Sequence, residues 1–295
     1  MPTVDANGIT INYTVEGAGP PLVMLHGATS APLEDWAAQR PAFRRAFRIY
    51  LPDARGHAAT KWDVRHGFTS DMLVDDLLGF VDGLGLSTFH VVGFSMGAMT
   101  ALTFATLYPE RLRTAIITGI DVERMPRTRV AKRLMDPERI VRDEPEWAEQ
   151  LERRHGPVQG PGAWQHLLRA IAEDVAVQPL LMPDDLRRVR LPVQLVYGDR
   201  DIFAPVDHAV AIYRQLPDAR LMVVPNSPHP VMVSQPNLFN QAAAAFYRST
   251  EQEARRRAAA ADASLEHDDE SSTGADVLNA VSGSSDDGPD PFSQW

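Results

Sequence analysis

Three residue types that together can cleave an acyl bond, a serine, a histidine and a carboxylate, occur at turn positions of this sequence. Ser95 lies in the run Gly93-Phe94-Ser95-Met96-Gly97, between an apolar strand-like segment and a helical pattern. Flanking glycines relieve crowding at a sharp strand-to-helix turn and leave the serine hydroxyl exposed at a helix N-terminus. Ser95 is therefore the candidate nucleophile; the alternative is that it only caps the helix.

The candidate base is His229. A serine hydroxyl is a weak nucleophile near neutral pH and needs a histidine that accepts its proton. Among nine histidines, His229 follows the strand-like segment Leu221 to Val224 and comes just before the last helical segment. Loops at the C-terminal ends of strands are where an α/β fold places its site. Other histidines lie in polar or helical surroundings typical of a surface: His155, His166 and His208.

The candidate acid is Asp201, in the run Tyr197-Gly198-Asp199-Arg200-Asp201 directly after another apolar strand. Asp199 competes with it, but an aspartate that opens a turn commonly binds backbone N–H groups, whereas the residue two positions later can reach inward. Asp121, at the end of an earlier strand, is a second alternative. The chain order Ser95, Asp201, His229 matches the order of a serine triad in an α/β sheet.

Acyl transfer also needs N–H donors aimed at the oxyanion of the tetrahedral intermediate. One donor is predicted to be the backbone N–H of Met96. The other is predicted to be Ala28 N–H, because His26-Gly27-Ala28 forms a tight turn after the strand Leu22 to Leu25. Supporting roles are assigned to His26, expected to brace this turn by hydrogen bonds, and to three glycines: Gly27, Gly93 and Gly97.

The elements that must position these residues alternate between short apolar strands and amphipathic helices. The predicted strands are Ile9 to Val15, Leu22 to Leu25, Arg48 to Leu51, Phe89 to Val92, Thr114 to Thr118, Val193 to Tyr197 and Arg220 to Val224. Predicted helices include Ser70 to Leu84, with Ser70 as its N-cap, and Met96 to Tyr108. This alternation predicts an α/β fold with a mainly parallel, doubly wound sheet.

Two segments interrupt or follow this alternation. Residues 122–190 carry no strand pattern, and their helical pieces near Trp147 to Arg154 and Ala163 to Val175 predict a helical cap, or lid, inserted between core segments 1–121 and 191–249. The alternative is a solvated structural appendage with no role at the site. Residues 250–295 are small and acidic and are predicted to be a disordered tail. Two aromatic residues in the final five residues, Pro291 to Trp295, leave a weak protein partner open, with an inert tail as the favoured interpretation.

Composition excludes several classes of function. The chain has no cysteine and hence no disulfide, thiolate nucleophile or cysteine-bound metal. Its net charge of −10 argues against nucleic-acid binding, and no run approaches the roughly 20 apolar residues that span a bilayer. The N-terminus lacks a signal-peptide pattern. We therefore expect a cytoplasmic protein with a small-molecule substrate and with no cofactor or metal, while the oligomeric state stays open.

From about Ile9 to Tyr247 the chain resembles the α/β-hydrolase superfamily. The matching pieces are His26-Gly27, Asp53 to His57, Gly93 to Gly97, Gly198 to Pro205 and His229 to Pro236. The resemblance implies the same triad and oxyanion donors and a lid, and it implies that Asp53 to His57 is a structural loop. Because residue 95 is serine, the aspartate nucleophile of haloalkane dehalogenases and epoxide hydrolases is absent.

The leading hypothesis is a serine hydrolase that cleaves a small or medium carboxylic ester, lactone or thioester through an acyl-enzyme. A cofactor-free perhydrolase or a carbon–carbon bond hydrolase on the same triad is an alternative. A different class of function is a non-catalytic ligand-binding or interaction module. The pocket is expected between the strand ends and the lid and to be mostly apolar. Candidate contributors are Met125, Met135, Trp164, Phe203 and Met232, although ordinary packing in the core or the lid is the favoured interpretation for each, and none is assigned a binding role.

Overall fold

The structure is a computed structural model that describes residues 1–122 and 127–270. All seven predicted strands are present, and one short strand that the sequence pattern did not predict precedes them. The strands are β1 (Thr3–Ala6), β2 (Ile9–Glu16), β3 (Pro21–Leu25), β4 (Arg48–Pro52), β5 (Phe89–Phe94), β6 (Leu112–Thr118), β7 (Val193–Gly198) and β8 (Ala219–Val224).

Helices connect the strands and cover both faces of the sheet. They are α1 (Pro32–Asp35), α2 (Arg40–Phe43), α3 (Ser70–Gly83), α4 (Met96–Leu107), α5 (Arg127–Leu134), α6 (Pro137–Asp143), α7 (Pro145–Gln159), α8 (Ala163–Val177), α9 (Pro183–Arg188), α10 (Val206–Gln215), α11 (Val231–Ser234) and α12 (Pro236–Glu270), with 3-10 turns at Val64–His66 and Pro109–Arg111. In the described part of the chain, no helix is both long enough and apolar enough to cross a membrane.

These strands form one sheet in the order β1-β2-β4-β3-β5-β6-β7-β8. β2 pairs antiparallel with both β1 and β4, and the remaining neighbours pair parallel, which confirms the predicted α/β class with a mainly parallel sheet. Leu25 is in register with Gly93, and Phe94 with Thr118. The carboxyl ends of β3, β5 and β6 therefore meet at one edge, where the candidate residues lie.

Two apolar layers sandwich the sheet because neighbouring residues of each buried strand point to opposite faces. Val23 and Val91 pack with α3, α4 and α10 on one face, whereas Leu22 and Val92 pack with Trp36 and α12 on the other. Both strands are buried on both faces, and they therefore read as continuous apolar runs.

The insertion between β6 and β7 is helical in its described residues. Helices α5 to α8 pack with one another and form an apolar cluster of their own around Trp164, while Leu167 of α8 packs on Phe68 and Leu73 of the core domain. Helix α9, which the sequence analysis included in the cap, instead buries Leu186 in the main core. Ser70 is the first residue of α3 and not its N-cap: Thr69 accepts the capping bond from Met72 N–H, and Ser70 Oγ binds Asp174 of α8.

The C-terminal segment differs from its prediction over residues 250–270. Disorder is expected there from composition, yet α12 continues through Glu270. The residues from Glu251 to Ala260 are mostly Ala, Arg and Glu, which have high helix propensity, and Arg255 binds Glu251 one turn away. A helix anchored on the core by Phe239 and Tyr247 can therefore extend past its last buried residue. Residues 271–295, including the Pro291 to Trp295 motif, lie outside the described residues.

Candidate active site

Ser95 occupies a strained turn between β5 and α4. Its φ and ψ are 52° and −114°, a backbone conformation that is energetically unfavourable for any residue other than glycine. Its N–H donates to Thr118 O at 2.9 Å, which fixes the turn against the end of β6. A Cβ on Gly93 would lie 2.4 Å from Gly97 O, and a Cβ on Gly97 would lie 2.6 Å from His26 O. Both flanking glycines are therefore required by close backbone approach.

His229 lies between Ser95 and Asp201. Its Nε2 is 2.9 Å from Ser95 Oγ, and its Nδ1 is 2.8 Å from Asp201 Oδ2. Because a carboxylate only accepts hydrogen bonds, Nδ1 carries the proton in the neutral ring and Nε2 accepts from the serine hydroxyl. The other carboxylate oxygen of Asp201 accepts from Phe203 N–H at 2.8 Å and Ala204 N–H at 3.0 Å. The acid is thereby held in one orientation.

The two alternative acids have other partners. Asp199 accepts from Ser227 N–H at 3.2 Å, the backbone role expected of an aspartate that opens a turn. Asp121 is buried and binds Nδ1 of His208 at 2.8 Å. The structure thus brings Asp201 to His229. Asp121 lines the same pocket as His229, but the hydrogen bond described for its carboxylate is to His208.

Two aromatic rings restrict the His229 imidazole. The Phe203 and Phe94 ring centroids lie 4.5 and 4.9 Å from that of His229. Phe203 follows Asp201 by two residues, so the segment that holds the acid also packs on the base. This packing limits rotation of the ring away from Ser95.

The two predicted oxyanion donors lie at the entrance to the same turn. Met96 is the first residue of α4, where backbone N–H groups have no acceptor within the helix. Ala28 follows Gly27, whose N–H donates to Asp35 Oδ2 at 2.8 Å. Ala28, Met96, Ser95 and His229 all line one pocket. Among the described residues, the structure gives neither the Ala28 nor the Met96 N–H an acceptor.

His26 is buried and is built into the backbone of two loops. Its Nε2 accepts from Ala54 N–H at 3.0 Å, so Nδ1 carries the proton and donates to Gly27 O at 2.8 Å. Burial lowers the pKa of His26 to about 4 because a charged ring would be desolvated. His26 is therefore a neutral brace of the Gly27 turn, the role the sequence predicts for it.

The pocket over Ser95 is mostly apolar and is closed by cap helices α5 and α8. Met135 and Phe203 line it, whereas Trp164 is buried within the cap and Met232 within the core, which is the ordinary packing favoured for these residues from the sequence. Met125 lies outside the described residues. The apolar lining residues include Phe68, Met96, Met99, Ile120, Ala131, Met135, Ile171, Val175 and Phe203, with Ser70, Asp121, Asp174 and Gln178 as polar members.

The sequence pattern does not predict that His155 is buried and bound to two loops of the core. His155 is 1% exposed and not on the surface as expected, because α7 turns it inward against the loops after β3 and β4. His57 is also fully buried, in ring contact with both His26 and His155. An ordinary helical pattern around His155 gives no local signal of this contact.

Comparisons with known proteins find the same fold in proteins of similar sequence and structure. A family model described as alpha/beta hydrolase fold matches residues 20–152. A 2-hydroxy-6-oxo-6-phenylhexa-2,4-dienoate hydrolase of Burkholderia cepacia is 25% identical over 83% of this chain and 94% of its own length. The solved meta-cleavage product hydrolase CumD of Pseudomonas fluorescens IP01 superimposes with a TM-score of 0.73 at 20% identity, covering 84% of this chain and 98% of that one.

A thermophilic esterase from Thermogutta terrifontis is also similar, with a TM-score of 0.69 at 24% identity over 84% of this chain and 98% of the esterase. The matched segment, the sheet order and these neighbours all carry the same architecture. The chain therefore has the α/β-hydrolase fold.

Proposed function

We propose that this protein is a serine hydrolase that cleaves a small or medium carboxylic ester, lactone or thioester through an acyl-enzyme. The observation that carries the proposal is the unbroken hydrogen-bond relay from Ser95 Oγ through His229 to Asp201. The α/β-hydrolase fold alone does not define the substrate, since one fold supports many chemistries. The Ser95–His229–Asp201 relay supports nucleophilic attack by Ser95 on a carbonyl carbon.

In the first half-reaction, Ser95 Oγ attacks the carbonyl carbon and His229 Nε2 takes the hydroxyl proton. Negative charge develops on the carbonyl oxygen, where the Ala28 and Met96 N–H groups would donate to it. Asp201 stabilises the imidazolium that forms. His229 then gives the proton to the departing alkoxide or thiolate, and the carbonyl carbon stays bound to Ser95 as an ester.

In the second half-reaction, water attacks the acyl carbon and His229 Nε2 takes a proton from the water. Collapse of the second tetrahedral intermediate breaks the bond to Ser95 Oγ, and the proton on His229 returns to the serine. The acid is released and the enzyme is regenerated. A lactone gives one hydroxy acid product, because its leaving group stays attached to its acyl group.

The pocket supports an apolar acyl group of limited size. Its wall around Ser95 is formed mainly by Met, Phe, Ile and Val side chains, which favour burial of a hydrocarbon chain. Cap residues Met135 and Ile171 form the roof of this pocket. We propose on this basis that helices α5 to α8 act as a lid and that apolar acyl groups are preferred over highly polar ones.

Carbon–carbon bond hydrolysis is the second candidate, and the relatives favour it. The Burkholderia cepacia relative is named as a dienoate hydrolase, and the Pseudomonas fluorescens neighbour as a meta-cleavage product hydrolase. Both reactions can use the same serine, with a carbanion equivalent in place of the alkoxide as leaving group. A perhydrolase, in which peroxide replaces water as acyl acceptor, remains a variant of the same proposal.

The test compares wild type, Ser95→Ala and the surface control Ser87→Ala. We expect a burst of p-nitrophenol from p-nitrophenyl butyrate and labelling by a fluorophosphonate in wild type and Ser87→Ala, and neither in Ser95→Ala. Parallel turnover of 2-hydroxy-6-oxo-6-phenylhexa-2,4-dienoate, followed by its absorbance, separates the two candidates. A folded wild type that neither turns over these compounds nor labels would favour a non-catalytic binding module.

A further inference from the structure

The loop that carries the Ala28 N–H is held in a conformation it would not adopt unaided. Thr29, the next residue, has a φ of 65°. A β-branched residue is disfavoured in this left-handed region, because its side chain crowds the backbone. Such a conformation persists only where surrounding contacts fix it. The direction of the Ala28–Thr29 segment therefore depends on what holds Thr29.

Three side chains hold the backbone of Thr29, and two of them belong to the cap. Thr29 N–H donates to His57 Nε2 at 3.1 Å. Thr29 O accepts from Arg154 Nη1 at 2.6 Å and from His155 Nε2 at 3.1 Å. Arg154 and His155 lie in α7, 125 and 126 residues further along the chain. Both polar groups of the Thr29 backbone are thus occupied.

His155 also fastens a second strained residue. Its Nδ1 accepts from the N–H of Ala58, 3.0 Å away, and Ala58 has a φ of 41°. Since Nδ1 accepts, the proton of the neutral ring is on Nε2, where the bond to Thr29 O needs it. One cap histidine therefore ties the loop after β3 to the loop after β4 in a single tautomer.

Arg154 is aimed by a carboxylate on the core. Its Nε donates to Glu34 Oε1 at 2.8 Å, and its Nη2 binds the other oxygen of Glu34. This forked pair leaves Nη1 directed at Thr29 O. Glu34 is in α1, next to Asp35, which binds Gly27 N–H and Ser30 Oγ. The loop of residues 26–30, which carries the Ala28 N–H, is therefore clamped between α1 and α7.

Burial keeps the histidines of this clamp neutral. Desolvation lowers the pKa of His155 to about 4 and the pKa of His57 well below its usual value. His57 Nε2 accepts from Thr29 N–H and His155 Nδ1 from Ala58 N–H. A protonated ring would present N–H donors to these backbone donors, so the same geometry requires the neutral rings.

We propose that His155 and Arg154, on cap helix α7, are positioning residues that hold the Ala28 N–H in its oxyanion-binding direction through Thr29. The cap thereby acts on the acylation step as well as on substrate access. This inference rests on the proposed function, in which Ala28 N–H binds the oxyanion. Neither residue lines the pocket, so their effect is on the transition state and not on ground-state binding.

The test uses His155→Leu, Arg154→Met and the conservative His155→Gln, with Arg153→Met as control. Arg153 is adjacent in α7, but exposed and paired only with Glu149 of the same helix at 3.4 Å in the described structure. We expect His155→Leu and Arg154→Met to lower the acylation rate constant with p-nitrophenyl butyrate about 10-fold to 100-fold, with KM changed less than about threefold. Gln can still donate to Thr29 O and should restore most of the rate.

A folded His155→Leu or Arg154→Met that acylates within about twofold of wild type would overturn the proposal. So would a rise in KM without a fall in acylation rate, or an equally slow His155→Gln. If His155→Leu does not fold, Arg154→Met alone decides the question. Hydrogen exchange of the peptide with residues 26–30 tests the clamp without any substrate. Faster exchange in His155→Leu and Arg154→Met than in Arg153→Met would support it. A wild type without Ser95-dependent turnover would overturn the proposed function only, and the exchange result would still stand.

Discussion

The strand ends and the cap hold their parts of the site by different means. At the strand ends, parallel register and glycines at close backbone approaches place Ser95, and the loops after β7 and β8 carry Asp201 and His229. On the cap side, long-range side-chain hydrogen bonds from α7 hold the loop that carries Ala28. The first arrangement is encoded locally and depends on sterics. The second is encoded far along the chain and depends on charge state.

The largest expected effect separates the two buried aspartates near the nucleophile. Asp201→Asn should lower kcat about 10⁴-fold, because an amide at this position no longer selects the His229 tautomer that accepts from Ser95. Asp121→Asn, the matched control, should retain kcat within about tenfold, since Asp121 pairs with His208. Steady-state kinetics with p-nitrophenyl butyrate measure both. A reversed order would assign the acid role to Asp121.

A smaller effect is expected from a methyl group at the strand ends. Gly97→Ala should lower the free energy of unfolding by about 3 kcal/mol or more, since the new Cβ meets the backbone of Leu25 and His26. Gly85→Ala is the control: its φ is 67°, but nothing lies within 4 Å of a Cβ there, so only backbone strain of about 1 kcal/mol opposes it. Urea unfolding compares the two. A loss at Gly97 no larger than that at Gly85 would show that the backbone of Leu25 and His26 shifts to accept the methyl group, and that close approach does not make Gly97 necessary.

The smallest expected effect concerns pH and the cap side. The folded pKa of His155, about 4, lies below its usual value of 6.5, so between these values the unfolded chain binds a proton that the fold excludes. Stability therefore falls as pH falls, by about 1.4 kcal/mol per pH unit for this ring. Asp53 changes the free energy of unfolding in the opposite direction. Burial raises its pKa to about 6, so below that pH the folded chain holds a proton that the unfolded chain does not, and stability rises as pH falls.

Urea unfolding between about pH 6 and pH 4 checks these signs. His155→Gln should flatten the fall of stability with decreasing pH, and Asp53→Asn should steepen it. His26, whose pKa is also lowered to about 4, keeps a fall measurable in both variants. If both substitutions change the slope in the same direction, the assignment of buried neutral groups to these loops is wrong.

The same contrast explains what the sequence could predict. Ser95, Asp201 and His229 each follow a strand-like run, so local context indicates a common edge of the sheet. The contacts of Arg154 and His155 join residues more than a hundred positions apart, and their helical pattern is that of any amphipathic helix. The extension of α12 is hard to predict because its low apolar content favours disorder, whereas the helix propensity of its Ala, Arg and Glu residues favours a helix.

The most direct measurement is the identity of the residue that carries the acyl group during turnover. Wild type mixed with p-nitrophenyl butyrate is quenched in acid within the burst, digested and analysed by mass spectrometry. We expect one butyryl group on the peptide that contains Ser95. Fragmentation should locate it to Ser95, and Ser95→Ala should lack it. An acyl group on a residue other than Ser95 would contradict the proposed role of Ser95. A burst of p-nitrophenol with no acyl-enzyme detected would contradict it as well.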